Sequence, residues 1–372
     1  MSLVAQLAAA LVAAPLLLGA APVDPVGGEL LGTVGAPVVS SGSGVPVLPE
    51  VEAAAWLVAD AETGNVLAAY DAHVPLPPAS TIKLLTALAV LPVIEPDQSY
   101  TASEENGHVE GSRVGMVPGE TYSLADLEHG LFLASGNDAA HGLAELVGGL
   151  AACLELMNAE AARLGAFDTH AATPHGLDEP GQVSSAYDLA LFGRAVLADA
   201  ELAEIAQTRN YAFPGLDGQT FQIQNQNRLL GSYDGAIGLK TGYTTEAGHT
   251  LVAAAERGDT RLVVTVLGAD GRAEPVAAEL LDWGFAAAGT AEPVGVLVTP
   301  EDVAAAAEAR VDDAAADPPA PESEEPSAAD AADLALGSGI PPWWPVGVAA
   351  LAVLGLLAVR QRRRRSRGRY AA

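Results

Sequence analysis

Residues 54–70, with the sequence AAWLVADAETGNVLAAY, carry the pattern that decides the fold. Two runs rich in Val, Leu and Ala flank Thr63-Gly64-Asn65, which has the composition of a tight turn. This arrangement predicts two strands joined by a turn. The same pattern returns at 250–267, around Arg257-Gly258-Asp259. Pairs of strands are therefore expected near both ends of the patterned part of the chain.

The stretch between the two strand pairs is mostly helical in pattern, because its apolar residues recur three to four positions apart. The predicted helices cover 80–93, 123–147, 151–164 and 185–198, and a last helix covers 273–287. Ser184 or Ser185 is a suitable N-cap for the fourth of them. Strands at both ends of a helical middle predict an α+β fold, with one antiparallel sheet built from both termini and a helical lobe.

The charge of the chain argues against a nucleic-acid partner. Its formal net charge is −29, and an acidic protein is repelled by a phosphate backbone. Acidic residues are concentrated at 301–333, whereas 360–372 are rich in arginine. Half of the 372 residues are hydrophobic, which is enough to build a sizeable core.

The two ends of the chain predict export and membrane attachment. Residues 1–21 are apolar and rich in Ala and Leu, which is typical of a signal peptide, with a retained anchor as the alternative. Residues 340–359 carry two tryptophans, are otherwise mostly apolar and precede the basic tail at 360–372. This order predicts a transmembrane helix with a cytoplasmic C-terminus, and a sorting signal is the alternative. We expect a single-pass protein of the cell membrane whose globular domain, at 50–290, is extracytoplasmic.

Two segments of biased composition separate the domain from these ends. Residues 22–49 are rich in Gly, Pro, Val and Ser without a sustained period, so they predict a linker. Residues 291–339 are rich in Ala, Pro, Glu and Asp and contain few large apolar residues. That composition predicts a disordered acidic linker, with a short ordered extension at 294–298.

Lysine is scarce in this chain, and its two positions are informative. Of the 18 Lys and Arg residues, only Lys83 and Lys240 are lysines. Arginine does not lose its proton in a protein, whereas a buried lysine can be tuned to act as a base. Each lysine is therefore expected at a place where arginine would not serve.

The first lysine belongs to Ser80-Thr81-Ile82-Lys83, at the start of a predicted helix. Residues three positions apart lie on the same face of a helix, so Lys83 can reach the Ser80 hydroxyl. The free N–H groups of a helix start favour developing negative charge. Ser80 is therefore a candidate nucleophile with Lys83 as its base.

Two further motifs offer polar groups that complement such a pair. Ser135-Gly136-Asn137, in the helical middle, combines a hydroxyl that can relay a proton with an amide that can hold a carbonyl. Lys240-Thr241-Gly242, on or beside a strand, combines a cation and a hydroxyl that can bind a carboxylate. The glycine lets a substrate backbone approach the strand closely. Both lysines of the chain thus fall into candidate site motifs.

Together the three motifs resemble those of penicillin-binding proteins and serine β-lactamases. The flanking segments resemble the low-molecular-weight D-alanyl-D-alanine carboxypeptidases, and they lie at 133–140, 173–177 and 238–244. The resemblance covers about 51–287 and implies a β-lactamase/transpeptidase-like fold. It also implies a serine-type carboxypeptidase that removes the terminal D-Ala from peptidoglycan stem pentapeptides, with β-lactam antibiotics as covalent inhibitors.

The resemblance also implies a role for each motif residue. Ser80 would form the acyl-enzyme, Lys83 would take its proton, and Ser135 would link the two lysines in proton transfer. Asn137 would hold a substrate amide, and Lys240 and Thr241 would hold the terminal carboxylate. Gly242 would allow close approach of the substrate backbone. The backbone N–H groups of Ser80 and Tyr243 would bind the oxyanion. No cofactor or metal is expected, because the seven histidines show no ligand spacing.

Several alternatives remain open at this point. A class A β-lactamase needs a Glu base between the second and third motifs, where Glu179 lies in a turn sequence. A D,D-endopeptidase would use the same residues, and a non-catalytic wall-binding module would need only the cleft. Some relatives carry Arg within an Asn-x-Asn pair, where this chain has Gln226 followed by Arg228. The residue that completes the carboxylate site is therefore left undetermined.

Overall fold

A computed structural model describes residues 25–316 of the chain. The strands are β1 Val38–Val39, β2 Ala55–Asp60, β3 Asn65–Tyr70, β4 Ser99–Thr101, β5 Thr121–Ser123, β6 Asn210–Pro214, β7 Thr220–Gln224, β8 Ala236–Thr244, β9 Gly248–Arg257, β10 Thr260–Ala269 and β11 Gly295–Val296. The helices are α1 Lys83–Val90, α2 Leu124–Phe132, α3 Asn137–Leu146, α4 Leu150–Leu164, α5 Ala186–Ala198, α6 Ala200–Gln207, α7 Leu229–Ser232, α8 Ala273–Ala287 and α9 Pro300–Ala316. Short 3₁₀ turns include Ala79–Ile82, directly before α1.

Strands from both ends of the described region build one antiparallel sheet. Its order is β1-β3-β2-β10-β9-β8, and β11 also pairs with β3. The central contact joins β2 to β10, with Val58 opposite Val264. The sheet therefore unites the early strand pair with the late one, and the α+β fold predicted from the sequence is confirmed.

The sheet is buried on both faces, and its side chains alternate between two cores. In β2, Ala55, Leu57 and Ala59 face the core that contains the helical lobe. Trp56 and Val58 face the opposite core, which α8 covers. Burial on both faces explains why the strands read as apolar runs rather than as a clean polar–apolar alternation.

The two predicted linkers are partly wrong, because their inner ends are ordered parts of the domain. In the first, Leu31 is buried and β1 pairs with β3. In the second, β11 and the buried Leu297 agree with the short ordered extension predicted at 294–298, whereas α9, which extends to Ala316, contradicts the predicted disorder. Val296 N donates to Gly27 O at 2.8 Å, which joins the two segments to each other. Single pairings with a sheet edge stabilise these segments, and sequence composition does not reveal such pairings.

The single helix predicted at 123–147 is also wrong, because two helices occupy this stretch. The chain leaves α2 after Phe132 and begins α3 at Asn137. Ser135, between them, has a φ of +57°, a left-handed conformation that a helix interior does not accept. The N-cap of α5 is Ser185, whose side chain accepts a hydrogen bond from Asp188 N, as predicted.

Within residues 25–316, no single helix has the length and apolar character needed to span a bilayer. By those two criteria only the bent pair of α3 and α4 could do so. The predicted signal peptide at 1–21 and the predicted transmembrane helix at 340–359 lie outside the described residues.

Candidate active site

Ser80 lies in the 3₁₀ turn that leads into α1, and Lys83 is the first residue of that helix. The turn brings the two side chains together as the spacing predicted. Lys83 Nζ is 2.9 Å from Ser80 Oγ. The pair can therefore exchange a proton directly.

Lys83 Nζ has two further acceptors besides the hydroxyl. It donates to Asn137 Oδ1 at 2.7 Å and to the backbone oxygen of His175 at 2.6 Å. A neutral amine has two N–H bonds and one lone pair. The two N–H bonds match these two oxygens, which leaves the lone pair for the Ser80 hydroxyl. Once Lys83 is neutral, these contacts therefore orient its lone pair toward Ser80, whereas the protonated form donates to all three oxygens.

Both lysines are buried, with 1 % of each residue exposed. Burial and the charge of Lys240 hold the pKa of Lys83 well below its usual range, although the charge of Asp138 opposes them. Burial also lowers the pKa of Lys240 to about 7. Lys240 is therefore near enough for its charge to favour the neutral form of Lys83.

The second motif lies at the break between α2 and α3. Ser135 is 2 % exposed, and its Oγ is buried without a hydrogen-bond partner among the described residues. It lines the same cleft as Ser80, but it contacts neither lysine through a hydrogen bond. Its relay of a proton between Lys83 and Lys240 stays a prediction.

Asn137 is buried behind Lys83. Its Oδ1 accepts from Lys83, and its Nδ2 donates to Glu110 O at 2.7 Å. In this arrangement the amide orients the base. Contact with a substrate amide stays a prediction, and the second N–H of Nδ2 is the donor available for it.

Sequence reasoning missed Asp138, which follows the second motif directly. Its fully buried carboxylate accepts from the backbone N–H groups of Val114, Gly115 and Met116 at 2.8–3.1 Å. These bonds attach the loop before β5 to the start of α3. An acidic residue in the first turn of a helix was the available signal, but it does not identify the loop that is held.

The third motif lies on β8, at the end of the sheet order. Gly242 lies so close to the nucleophile that a Cβ there would come within 2.8 Å of the Ser80 backbone nitrogen. Thr241 and Gly242 line the cleft, and Tyr243 is 60 % exposed beside it, with its ring 4.6 Å from that of His249. Lys240 Nζ donates to Thr241 O at 2.8 Å. The structure thus places β8 directly against the nucleophile turn, and the predicted approach of a substrate backbone to Gly242 stays a prediction.

The cleft that joins these groups has a volume of about 600 Å³. Part of its lining, which we name the arginine wall, consists of Arg228, Arg272 and Glu274. Arg272 Nη2 donates to Glu274 Oε1 at 2.7 Å. The sequence indicated Arg228 without giving its position, and it gave no sign of Arg272 or Glu274, because no local pattern connects residues after β10 to the third motif.

Gln226, at the position where some relatives have Arg, lines the cleft and donates to Ala134 O at 2.9 Å.

The loop at 173–177 closes the other side of the nucleophile turn. Gly176 has a φ of +89°, and a Cβ there would collide with Ala79 O and lie 2.9 Å from Ser80 N. Only glycine fits this conformation and this approach. Glu179, the candidate base of a β-lactamase, is exposed and does not line the cleft of about 600 Å³.

Comparison with known proteins agrees with this geometry. Residues 43–271 match the Peptidase S11 family, described as D-alanyl-D-alanine carboxypeptidase. The D-alanyl-D-alanine carboxypeptidase DacB2 of Mycobacterium tuberculosis is 45 % identical over 255 residues, which cover 67 % of this chain and 87 % of that protein. DacD of Escherichia coli is 38 % identical over 256 residues, and the chain spans only 64 % of its length.

A solved structure gives the same result for the fold. The crystal structure of the D-alanyl-D-alanine carboxypeptidase from M. tuberculosis H37Rv superimposes with a TM-score of 0.66 at 42 % identity. The match covers 70 % of this chain and 99 % of that one. The family match spans more than half of the chain and includes all three motifs. The chain therefore belongs to the Peptidase S11 family of D-alanyl-D-alanine carboxypeptidases.

Proposed function

We propose that this protein removes the terminal D-Ala from peptidoglycan stem pentapeptides through an acyl-enzyme on Ser80. The observation that carries the proposal is the contact of 2.9 Å between the buried Lys83 Nζ and Ser80 Oγ, which lines the cleft. Burial that holds the pKa of Lys83 well below its usual range favours the neutral form, which is the form that accepts the proton of Ser80.

The reaction follows from this contact. Lys83 takes the hydroxyl proton as Ser80 Oγ attacks the carbonyl of the penultimate D-Ala. Backbone N–H groups of Ser80 and Tyr243 stabilise the oxyanion, an effect commonly worth ~10²–10³ in rate. The C–N bond then breaks, and the proton passes to the departing D-Ala amine. Water hydrolyses the Ser80 ester and releases the shortened peptide.

The terminal carboxylate of the substrate is received at the side of the cleft formed by Thr241 and the arginine wall. Arg228 and Arg272 supply guanidinium groups, which pair with carboxylates in two-pronged geometry. Lys240 is buried beneath Thr241 and contributes its charge rather than an exposed donor. This arrangement supports an exopeptidase, because a free carboxylate is the group that it recognises.

The location of the protein is part of the proposal. The peptidoglycan substrate lies outside the cytoplasmic membrane, and the apolar segments at 1–21 and 340–359 suit export and anchoring. The cytoplasmic C-terminal tail would follow from the arginines at 360–369.

Labelling with a fluorescent penicillin, together with release of D-Ala from a synthetic pentapeptide, tests the proposal. Wild-type protein should form a covalent adduct and release D-Ala, and Ser80→Ala should do neither. Ser99→Ala, at an exposed position of β4, is the matched control and should behave as wild type. A folded wild-type protein without adduct would favour a wall-binding module, and rapid turnover of nitrocefin would favour a β-lactamase.

A further inference from the structure

Glu274 is an ionisable residue of the cleft that the proposed reaction does not use. It lies in the first turn of α8, next to Arg272, which is the N-cap residue of that helix. Arg272 Nη2 donates to Glu274 Oε1 at 2.7 Å, and Arg272 Nε is 3.3 Å from Oε2. The side chain of Glu274 is 15 % exposed and that of Arg272 is 43 % exposed. The carboxylate is therefore the fixed partner and the guanidinium the accessible one.

The charges around Glu274 keep it ionised. Burial would raise the pKa of Glu274, but the hydrogen bond from Arg272 and the charges of Arg272 and Arg228 outweigh this effect and lower it. The backbone N–H of Glu274 also contributes to the lowering. The start of a helix favours a carboxylate for the same reason. Glu274 is thus an anion paired with Arg272 and within reach of the charge of Arg228.

We propose that Glu274 is a positioning residue, which holds the guanidinium of Arg272 in the cleft so that it is preorganised for the terminal carboxylate of the substrate. This inference rests on the proposed function. A guanidinium has five N–H donors, and Glu274 occupies two of them. The other three remain for a ligand.

The benefit of such an arrangement is entropic. A free arginine side chain loses rotamer freedom when it binds a ligand, and this loss weakens binding. Holding Arg272 in advance removes part of that cost. Because Glu274 acts through Arg272, its effect should fall on substrate binding rather than on the attack by Ser80.

The test compares Glu274→Ala and Glu274→Gln with Glu279→Ala in the full-length chain. Glu279 is an exposed residue of the same helix outside the cleft, so its replacement makes the same change of charge. With a synthetic pentapeptide, Glu274→Ala should raise KM about 10-fold and leave kcat within about 2-fold. Glu274→Gln keeps one acceptor for Arg272 and should give an intermediate KM. Glu279→Ala should match wild type.

A double-mutant cycle shows whether the effect passes through Arg272. Glu274→Ala should change KM little when introduced into Arg272→Ala. Acylation by benzylpenicillin, measured by intact mass, should slow in Glu274→Ala, whereas acylation by its methyl ester, which lacks the carboxylate, should not.

Two outcomes would overturn the inference while leaving the proposed function intact. One is a KM of Glu274→Ala equal to that of Glu279→Ala. The other is a lower KM, which would mean that Glu274 competes with the substrate carboxylate for Arg272. If wild-type protein neither released D-Ala nor took up penicillin, the proposed function itself would be wrong.

Discussion

The cleft contains two cationic regions that differ in burial. The cleft floor, which we define as Ser80 on the lining and the two lysines behind it, Lys83 and Lys240, buries both amino groups almost completely. The arginine wall holds its cations where a ligand can reach them. The floor favours loss of a proton, as the lowered pKa values of both lysines indicate. The wall keeps its charge at any pH, because arginine does not titrate in proteins.

This difference in burial explains why the floor uses the two lysines of the chain and the wall uses arginine. Proton transfer needs a cation that can become neutral, and burial supplies that property. Recognition of a carboxylate needs a permanent charge with a two-pronged donor set. The preference for arginine over lysine in the sequence therefore marks a division of labour: lysine serves proton transfer, and arginine serves recognition of the substrate carboxylate.

Replacing a lysine of the floor by arginine tests the contrast between the two regions, and the largest effect is expected at Lys83. Lys83→Arg keeps a cation but removes the ability to accept a proton, so acylation should slow by ~10²-fold or more. Stopped-flow labelling with a fluorescent penicillin measures this rate. Arg163→Lys, the reverse exchange at an exposed position, should leave it unchanged. Near-normal acylation in Lys83→Arg would show that another residue takes the proton.

The arginine wall should give the next largest effect. Arg272→Ala removes a charged hydrogen-bond donor for the substrate carboxylate, so KM for the pentapeptide should rise by ~10-fold or more with a smaller change in kcat. Arg163→Ala, which breaks a similar Arg–Glu pair on α4, is the control. A fall in kcat alone would assign Arg272 to the chemical step instead.

The coupling between the two lysines predicts a change in pH dependence. Acylation by penicillin should increase with pH as Lys83 becomes neutral, with a midpoint well below the usual lysine value of 10.5. The charge of Lys240 lowers the pKa of Lys83, so Lys240→Met should move this midpoint to higher pH. The rate of acylation between pH 5 and 10 measures it. An unmoved midpoint would mean that burial alone tunes Lys83.

Asp188 is a buried carboxyl group that does not line the cleft, so replacing it should change the stability of the protein without changing acylation. Burial, assisted by the charge of Asp168, raises the pKa of Asp188 to about 7 from 3.8. Native protein therefore binds more protons than unfolded protein between about pH 4 and 7, and the contribution of Asp188 to stability falls as pH rises through that window. Asp188→Asn should raise the free energy of unfolding at pH 8 by about 1–3 kcal/mol, with little gain at pH 4.

Urea unfolding at the two pH values measures this effect, with Asp97→Asn at an exposed position as the control. The rate of penicillin acylation should stay at the wild-type value. Equal stability changes at both pH values would show that packing, rather than ionisation, distinguishes the variant.

The parts of the fold and site that follow a local rule could be predicted from the sequence. The spacing of Ser80 and Lys83 is one helical turn, and it brought their atoms within hydrogen-bond distance. The strands around Thr63-Gly64-Asn65 and Arg257-Gly258-Asp259 followed from apolar runs bounded by turn residues.

The remaining parts depend on contacts between distant segments. The left-handed conformation of Ser135 interrupts a helical pattern that apolar spacing alone continues. β1 has only two residues, and its pairing with β3 could not be read from composition. Arg272 reaches the cleft because α8 packs against β9 and β10, a placement that only the tertiary fold defines.

The position of β1 and β11 on the outer margin of β3 has a mechanical consequence. Four strand spacings, or ~19 Å, separate β3 from β8 and the cleft. Although β11 has only two residues, its segment is also held by hydrogen bonds from Val294 N to Val66 O and from Leu297 N to Gly64 O, and by the burial of Leu297. A pulling force on the chain after β11 would therefore load this margin of the sheet first, at a distance from the geometry around the nucleophile.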